Sequence, residues 1–223
     1  MYIWLILALI FAALEILAIS KNIRRLGYLA KPAVMVCLFL WLVSTTGLQG
    51  DPFWFGMGIL FSLLGDVLLM ISRDRMFLFG LLAFLLAHIF YVLGFRETLA
   101  AINLWSVILA IFIALNVARL LRRIAGAMRL RGEGGWVMPV MVYGTVISLM
   151  LYAAMLTIYD PAWKTGAAFL VSAGAFLFCA SDLMLAWDKF VSPIQNGRAW
   201  SITLYYLGQI GLTAGVVSQF GLS

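Results

Sequence analysis

Apolar residues run along the chain in eight stretches of about twenty, at 1–19, 31–48, 53–72, 76–95, 98–118, 136–158, 163–187 and 200–220. Short polar or basic connections part them. An α-helix rises ~1.5 Å per residue, so about twenty apolar residues cover the hydrocarbon core of a bilayer. The pattern predicts an all-α, polytopic integral membrane protein whose eight transmembrane helices form one bundle. Residues 1–223 are then a single transmembrane domain, with no soluble domain of any size. The first stretch has no Lys or Arg ahead of it, contains Glu15 and is followed by basic residues. That order reads as a retained first helix, not a cleaved leader.

Two stretches break their own pattern. "FSLLGDVLLM" carries Asp66 and "FCASDLMLAW" carries Asp182, each among leucines. A carboxylate inside a membrane costs about 2.5–3.5 kcal/mol even on lenient insertion scales, so two of them favour a function over accident. Each follows a small residue (Gly65, Ser181), precedes Leu by three positions and precedes Arg73 or Lys189 by seven. Proline stands near the start of spans two and six, in "KPAVM" and "MPVMV". Paired features four helices apart hint at a four-plus-four duplication with parallel halves, against chance as the rival. Gly56, Gly58, Gly208, Gly211 and Gly215 are expected to let helices pack closely.

The chain is 65% hydrophobic and 11% charged, with a mean hydropathy of +1.08. Its net charge of +6 raises the question of nucleic acid, but the distribution answers it. Thirteen of the 15 Lys and Arg fall on the side of connections 1–2, 3–4, 5–6 and 7–8; only Arg96 and Lys164 fall opposite. This is the positive-inside pattern of a membrane protein, so both termini are expected on the non-cytoplasmic side. The run "ARLLRRIAGAMRLRGEGG" then reads as a cytoplasmic loop facing lipid headgroups, with no nucleic-acid partner.

With that orientation, Asp66 and Asp182 lie at matching depth, ~8–10 Å inside the cytoplasmic boundary. Glu15, Lys31, Asn116, Tyr143, Tyr205, Tyr206 and Gln209 fall in the same half, and His88, the sole histidine, lies deeper with Tyr91 beyond it. Together they outline a pocket toward the inner leaflet. Bland readings stand beside this one: Glu15 pairing with Lys31, His88 as a hydrogen-bonded interior residue, the tyrosines as an interfacial belt. Cys37 and Cys179 lie within spans and form no CxxC. One histidine excludes a three-histidine zinc site, and no HExxH, GxSxG or phosphate-cradling glycine loop occurs, so no metal is expected. The chemistry is left to Asp, Tyr, Lys and His. Two carboxylates in a poorly hydrated site divide a proton between them. Such a pair serves an acid–base hydrolase or a proton-coupled transporter equally, and a scaffold whose acids lock helices together is the third reading.

"SLLGDVLLM", "FGLLAFLLAHIFYVLGF", "VYG", "SDLMLAWDKF" and "YYLGQ" follow one another in an order that resembles the YhhN family of membrane proteins. The likeness runs from Lys31–Pro32 to Gln209. It implies a lysoplasmalogenase: an ether hydrolase that cleaves the vinyl ether of a lysophospholipid to a fatty aldehyde and glycerophosphoethanolamine or glycerophosphocholine. The family's two acidic positions match Asp66 and Asp182; its lysine, histidine, tyrosine and glutamine match Lys31, His88, Tyr206 and Gln209. Vinyl ether hydrolysis begins with a proton delivered to carbon, and an oxocarbenium ion follows. Asp66 is expected as acid and Asp182 as base, the reverse being open. Lys31 is expected at the phosphate, with Tyr143, Tyr206 and Gln209 at the glycerol or water. No cofactor is expected; the setting implied is a bacterial inner membrane, and membrane lipids are the other partners.

Overall fold

The computed structural model describes residues 2–72, 75–96 and 103–221. They form eight α-helices: α1 (Ile3–Ser20), α2 (Arg24–Thr46), α3 (Pro52–Ile71), α4 (Phe77–Gly94), α5 (Leu104–Leu130), α6 (Val137–Leu156), α7 (Thr165–Phe190) and α8 (Gly197–Phe220). No strand occurs among the described residues. Helices α1 to α7 are long and apolar enough to cross a membrane, which makes the chain an integral membrane protein. α8 is as long but is not among those seven, because Ser201, Thr203, Gln209, Thr213 and four glycines dilute it. Large apolar side chains such as Ile111, Phe112, Leu115, Phe169 and Phe176 are exposed. Acyl chains, not water, are the natural neighbours of such a surface.

Two helices depart from the expected spans. α2 begins at Arg24, seven residues ahead of 31, so Lys31 lies two turns inside it and Pro32 is an interior proline. Tyr28 ties this early turn to α3, its hydroxyl donating to the Met70 carbonyl at 3.1 Å. α5 begins with a capping box, Asn103 accepting from the Ser106 amide while the Ser106 hydroxyl accepts from the Asn103 amide. The expected start of span five at 98 lies outside the described residues, as does Arg73. α5 then continues to Leu130, through what the charge pattern reads as a loop. Ala, Leu and Arg are strong helix formers, and no proline intervenes before Gly132. The extension is packed, not free: Ile124 and Met128 join Phe77, Val140 and Phe190 in a small second core. Arg131 donates to the Lys189 and Val191 carbonyls at 3.2 and 2.7 Å, capping the end of α7, and Arg123 lies over the Trp187 ring.

Neighbours in sequence pack together within each half, and α2 meets α8 as α6 meets α4. Advancing every helix number by four carries α1–α2, α2–α3, α3–α4 and α2–α8 onto α5–α6, α6–α7, α7–α8 and α6–α4. The pairs α1–α8, α3–α8 and α5–α7 have no counterpart of like extent among the described residues, so the correspondence is partial. The tightest seam is α7–α8, where glycines bring backbones into contact. A Cβ at Gly208 would stand 2.7 Å from the Phe178 nitrogen, and one at Gly211 would stand 2.9 Å from the Gly174 Cα. This seam fixes the relation of Asp182 on α7 to Tyr205 on α8.

Candidate active site

A cavity of about 540 Å³ opens at the end of the bundle that holds the α1–α2 and α7–α8 connections. Glu15 of α1, Lys31 of α2, Asp66 of α3, Phe84 of α4, Asp182 of α7 and Tyr205 of α8 all line it. Arg24, Lys189 and Arg198 line it as well. Its volume falls in the range of small-molecule sites. A narrower apolar crevice of about 40 Å³ continues from it past Asp182, between Leu81, Val140, Tyr143, Ala186 and Phe190.

The two carboxylates share the cavity but are held differently. Asp66 is engaged on both oxygens: Lys31 Nζ lies 2.7 Å from Oδ1, and the Tyr205 hydroxyl donates to Oδ2 at 2.8 Å. Its side chain is 2% exposed. On Asp182 both partners meet one atom: the Tyr143 hydroxyl donates to Oδ2, and His88 Nε2 lies 3.1 Å from the same oxygen. His88 Nε2 is also 3.1 Å from the Tyr143 hydroxyl, closing a triangle. Asp182 is 11% exposed, and Oδ1 is the oxygen left for a bound molecule. The sites correspond helix by helix. Asp66 on α3 draws partners from α2 and α8; Asp182 on α7 draws them from α6 and α4, each four helices on. Lys31 therefore answers to Tyr143, and Tyr205 to His88.

Residues 26–216, α2 to most of α8, match the YhhN family. The chain belongs to the YhhN family. Among curated relatives, mouse lysoplasmalogenase TMEM86B is 30% identical over 199 residues, covering 86% of this chain and 75% of that protein. Human lysoplasmalogenase TMEM86B is 30% identical over 195 residues, covering 83% and 73%. Bovine lysoplasmalogenase TMEM86A is 31% identical over 166 residues, covering 73% and 64%. No solved structure matches the chain.

In this YhhN protein the remaining expected residues scatter over three layers. Glu15 lines the cavity; Tyr143 lines the crevice. His88 is fully buried behind Asp182, its ring against Phe178 at 4.6 Å between centroids. Gln209 does not line the cavity: it lies beneath it, accepting from the Tyr91 hydroxyl at 2.7 Å and donating to Ser62 Oγ at 3.1 Å. Residue 209 is one turn beyond Tyr205, deeper into the bundle, so its amide joins α3, α4 and α8 under the cavity floor. Tyr206 is buried next to Tyr205, with its hydroxyl unpartnered and no share in the lining. Asn116 is on the exposed side of α5, donating to the Phe112 carbonyl at 2.8 Å, and lines neither the cavity nor the crevice. Lys31 is committed to Asp66, so a phosphate has to be met by other cations. The fold supplies Arg198 and Arg24, which the sequence marks only as part of a basic face. Ser62 carries no signal beyond lying one turn before Asp66. No group of three or more His, Cys, Asp or Glu able to hold a metal occurs among the described residues.

Proposed function

We propose that this protein hydrolyses the vinyl ether bond of a lysoplasmalogen, yielding a fatty aldehyde and glycerophosphoethanolamine or glycerophosphocholine. The observation that carries the reading is one cavity lined by two carboxylates held in contrasting ways, in a chain about 30% identical to proteins named lysoplasmalogenase. The basic face supports a cavity open toward the cytoplasm, eight crossings with α8 as the last, and both termini on the other side.

The contrast favours Asp182 as the acid, opposite to the expectation from sequence. Asp66 is paired with an ammonium and has neither oxygen to spare, so it is the fixed anion. Asp182 lines the cavity, is 11% exposed and meets both its partners through Oδ2, which leaves Oδ1 for substrate. Protonated Asp182 delivers its proton to the vinyl carbon remote from oxygen, and the C=C electron pair forms the new C–H bond. The positive charge that develops on the ether carbon and oxygen is stabilised by the Asp66 carboxylate. Water adds to the cation, its released proton returning to the Asp182–His88–Tyr143 cluster. The hemiacetal then breaks its bond to the glycerol oxygen, giving aldehyde and alcohol. The chain of the substrate follows the apolar crevice beside Phe84 and Phe190, and its phosphate meets Arg198 and Arg24.

In D2O the trapped aldehyde is expected to carry one deuterium at the carbon next to the carbonyl, measured by mass spectrometry after immediate reduction. Aldehyde without that label refutes protonation at carbon. Release should be unaffected by EDTA. If sealed vesicles show flux driven by a pH gradient and no lysolipid is cleaved, the proton-coupled transporter reading replaces this one. Tyr143→Phe removes a hydrogen bond to Asp182 that becomes charge-assisted as the proton leaves, and is then worth about 1.5–3 kcal/mol. Steady-state kinetics should register a fall in kcat of about 10- to 100-fold with KM little changed.

A further inference from the structure

One acidic group of the cavity has no place in this chemistry. Glu15 is 1% exposed, yet it lines the cavity, and its Oε2 has no hydrogen-bond partner. A buried carboxylate without a partner is costly and rare enough to need a reason. The cavity's other acids are engaged: Asp66 by Lys31 and Tyr205, Asp182 by His88 and Tyr143, Asp188 by the Ile194 amide at 2.8 Å. The cation nearest in kind, Lys31, is turned to Asp66. The position of Glu15 is also built. Its Oε2 stands 2.9 Å from where a Cβ on Gly27 would be, so α2 presents a bare backbone there and leaves the carboxylate its space. Arg198, on α8, lines the same cavity.

We propose that Glu15 is a specificity residue that binds the primary ammonium of an ethanolamine head group while Arg198 holds the phosphate. The proposal deepens the hydrolase reading and rests on it for the identity of the bond cleaved. An anion and a cation facing one cavity match a zwitterion with the opposite polarity. The choice between the two common zwitterionic heads follows from hydrogen bonding. An ammonium offers three N–H donors, one of them to the unpartnered Oε2, whereas a trimethylammonium offers none and is held by aromatic faces.

The test uses the whole protein in detergent and saturated 1-alkyl lysolipids, which lack the vinyl bond and cannot be hydrolysed. Dissociation constants for ethanolamine, choline and bare phosphate heads are measured by native mass spectrometry. The ethanolamine lipid should bind wild type about tenfold more tightly than the other two, the worth of one charge-assisted hydrogen bond. Glu15→Gln and Gly27→Ala should each reduce that preference below about twofold while binding of the phosphate-headed lipid is retained. Equal affinities in wild type overturn the proposal, and so does a variant that weakens all three lipids alike. Where Glu15→Gln does not fold, the wild-type ranking and Gly27→Ala decide. Failure of the hydrolase reading is seen separately: vinyl lysolipids would yield no aldehyde while the ranking of alkyl lipids stood.

Discussion

Asp66→Asn and Asp182→Asn are both expected to abolish aldehyde release, and to fail in different ways. Asp182→Asn keeps an oxygen that accepts from Tyr143 and His88, so the helices it joins should stay in register. What it loses is the transferable proton, and kcat should drop by about 10²- to 10⁴-fold with thermal unfolding in detergent nearly unchanged. Asp66→Asn removes the anion that neutralises Lys31, whose side chain is only 12% exposed. Breaking such a pair from one side costs about 3–5 kcal/mol in buried settings, so this variant should lose stability as well as activity. Adding Lys31→Met to Asp66→Asn removes the stranded charge. The double variant should regain most of the thermal stability and none of the turnover. Recovery of both would mean that Asp66 serves only to hold α2 against α3, and the acid–base mechanism would fall with it.

The second large effect is structural. Gly208→Leu should cost about 3 kcal/mol or more and take activity with it, because overpacking against main chain has no flexible side chain to yield. Its Cβ would meet the Phe178 nitrogen at 2.7 Å and the Gly174 carbonyl at 3.0 Å, driving α8 from α7. Tyr205 lies one turn away on α8 and Asp182 one turn beyond Phe178 on α7, so their geometry changes together. Gly126→Ala on α5 is the control: nothing lies within 4 Å of its Cβ, and the change should be neutral to stabilising by under about 1 kcal/mol. Thermal unfolding of the two variants in the same detergent measures the contrast.

Several features of the site were readable before any coordinates. Asp66 and Asp182 stand out because a carboxylate within an apolar run has few benign explanations, and the structure lines one cavity with both. A lone histidine on an apolar helix carries no sign of its partner, so the sequence leaves His88 between a plain interior role and the pocket; Asp182 is 94 residues away. The sequence places Lys31 at the phosphate and does not show its ion pair with Asp66, which joins two helices whose rotation the sequence leaves free. Depth along the helices groups Asn116 with the pocket, and depth together with the family resemblance groups Gln209 with it. Gln209 lies beneath the floor and Asn116 on the outer surface. The arginine run after Asn116 looked like a loop because charge density masked a good helix-forming segment, and its packing on the end of α7 depends on residues about 60 positions away.

Length and charge thus determined from sequence that this chain enters a membrane as apolar helices, that its basic face lies on one side, and that two carboxylates sit within the spans. Those properties are set by transfer between water and lipid, which acts on each segment independently. Which face of each helix turns inward was decided only by tertiary structure. In water an apolar stripe marks the buried face, but here lipid and protein interior are alike apolar, and burial leaves no periodic trace. Rotation is fixed instead by close glycine contacts and by the few polar pairs, Lys31 with Asp66 and His88 with Asp182, that find each other once the bundle has formed.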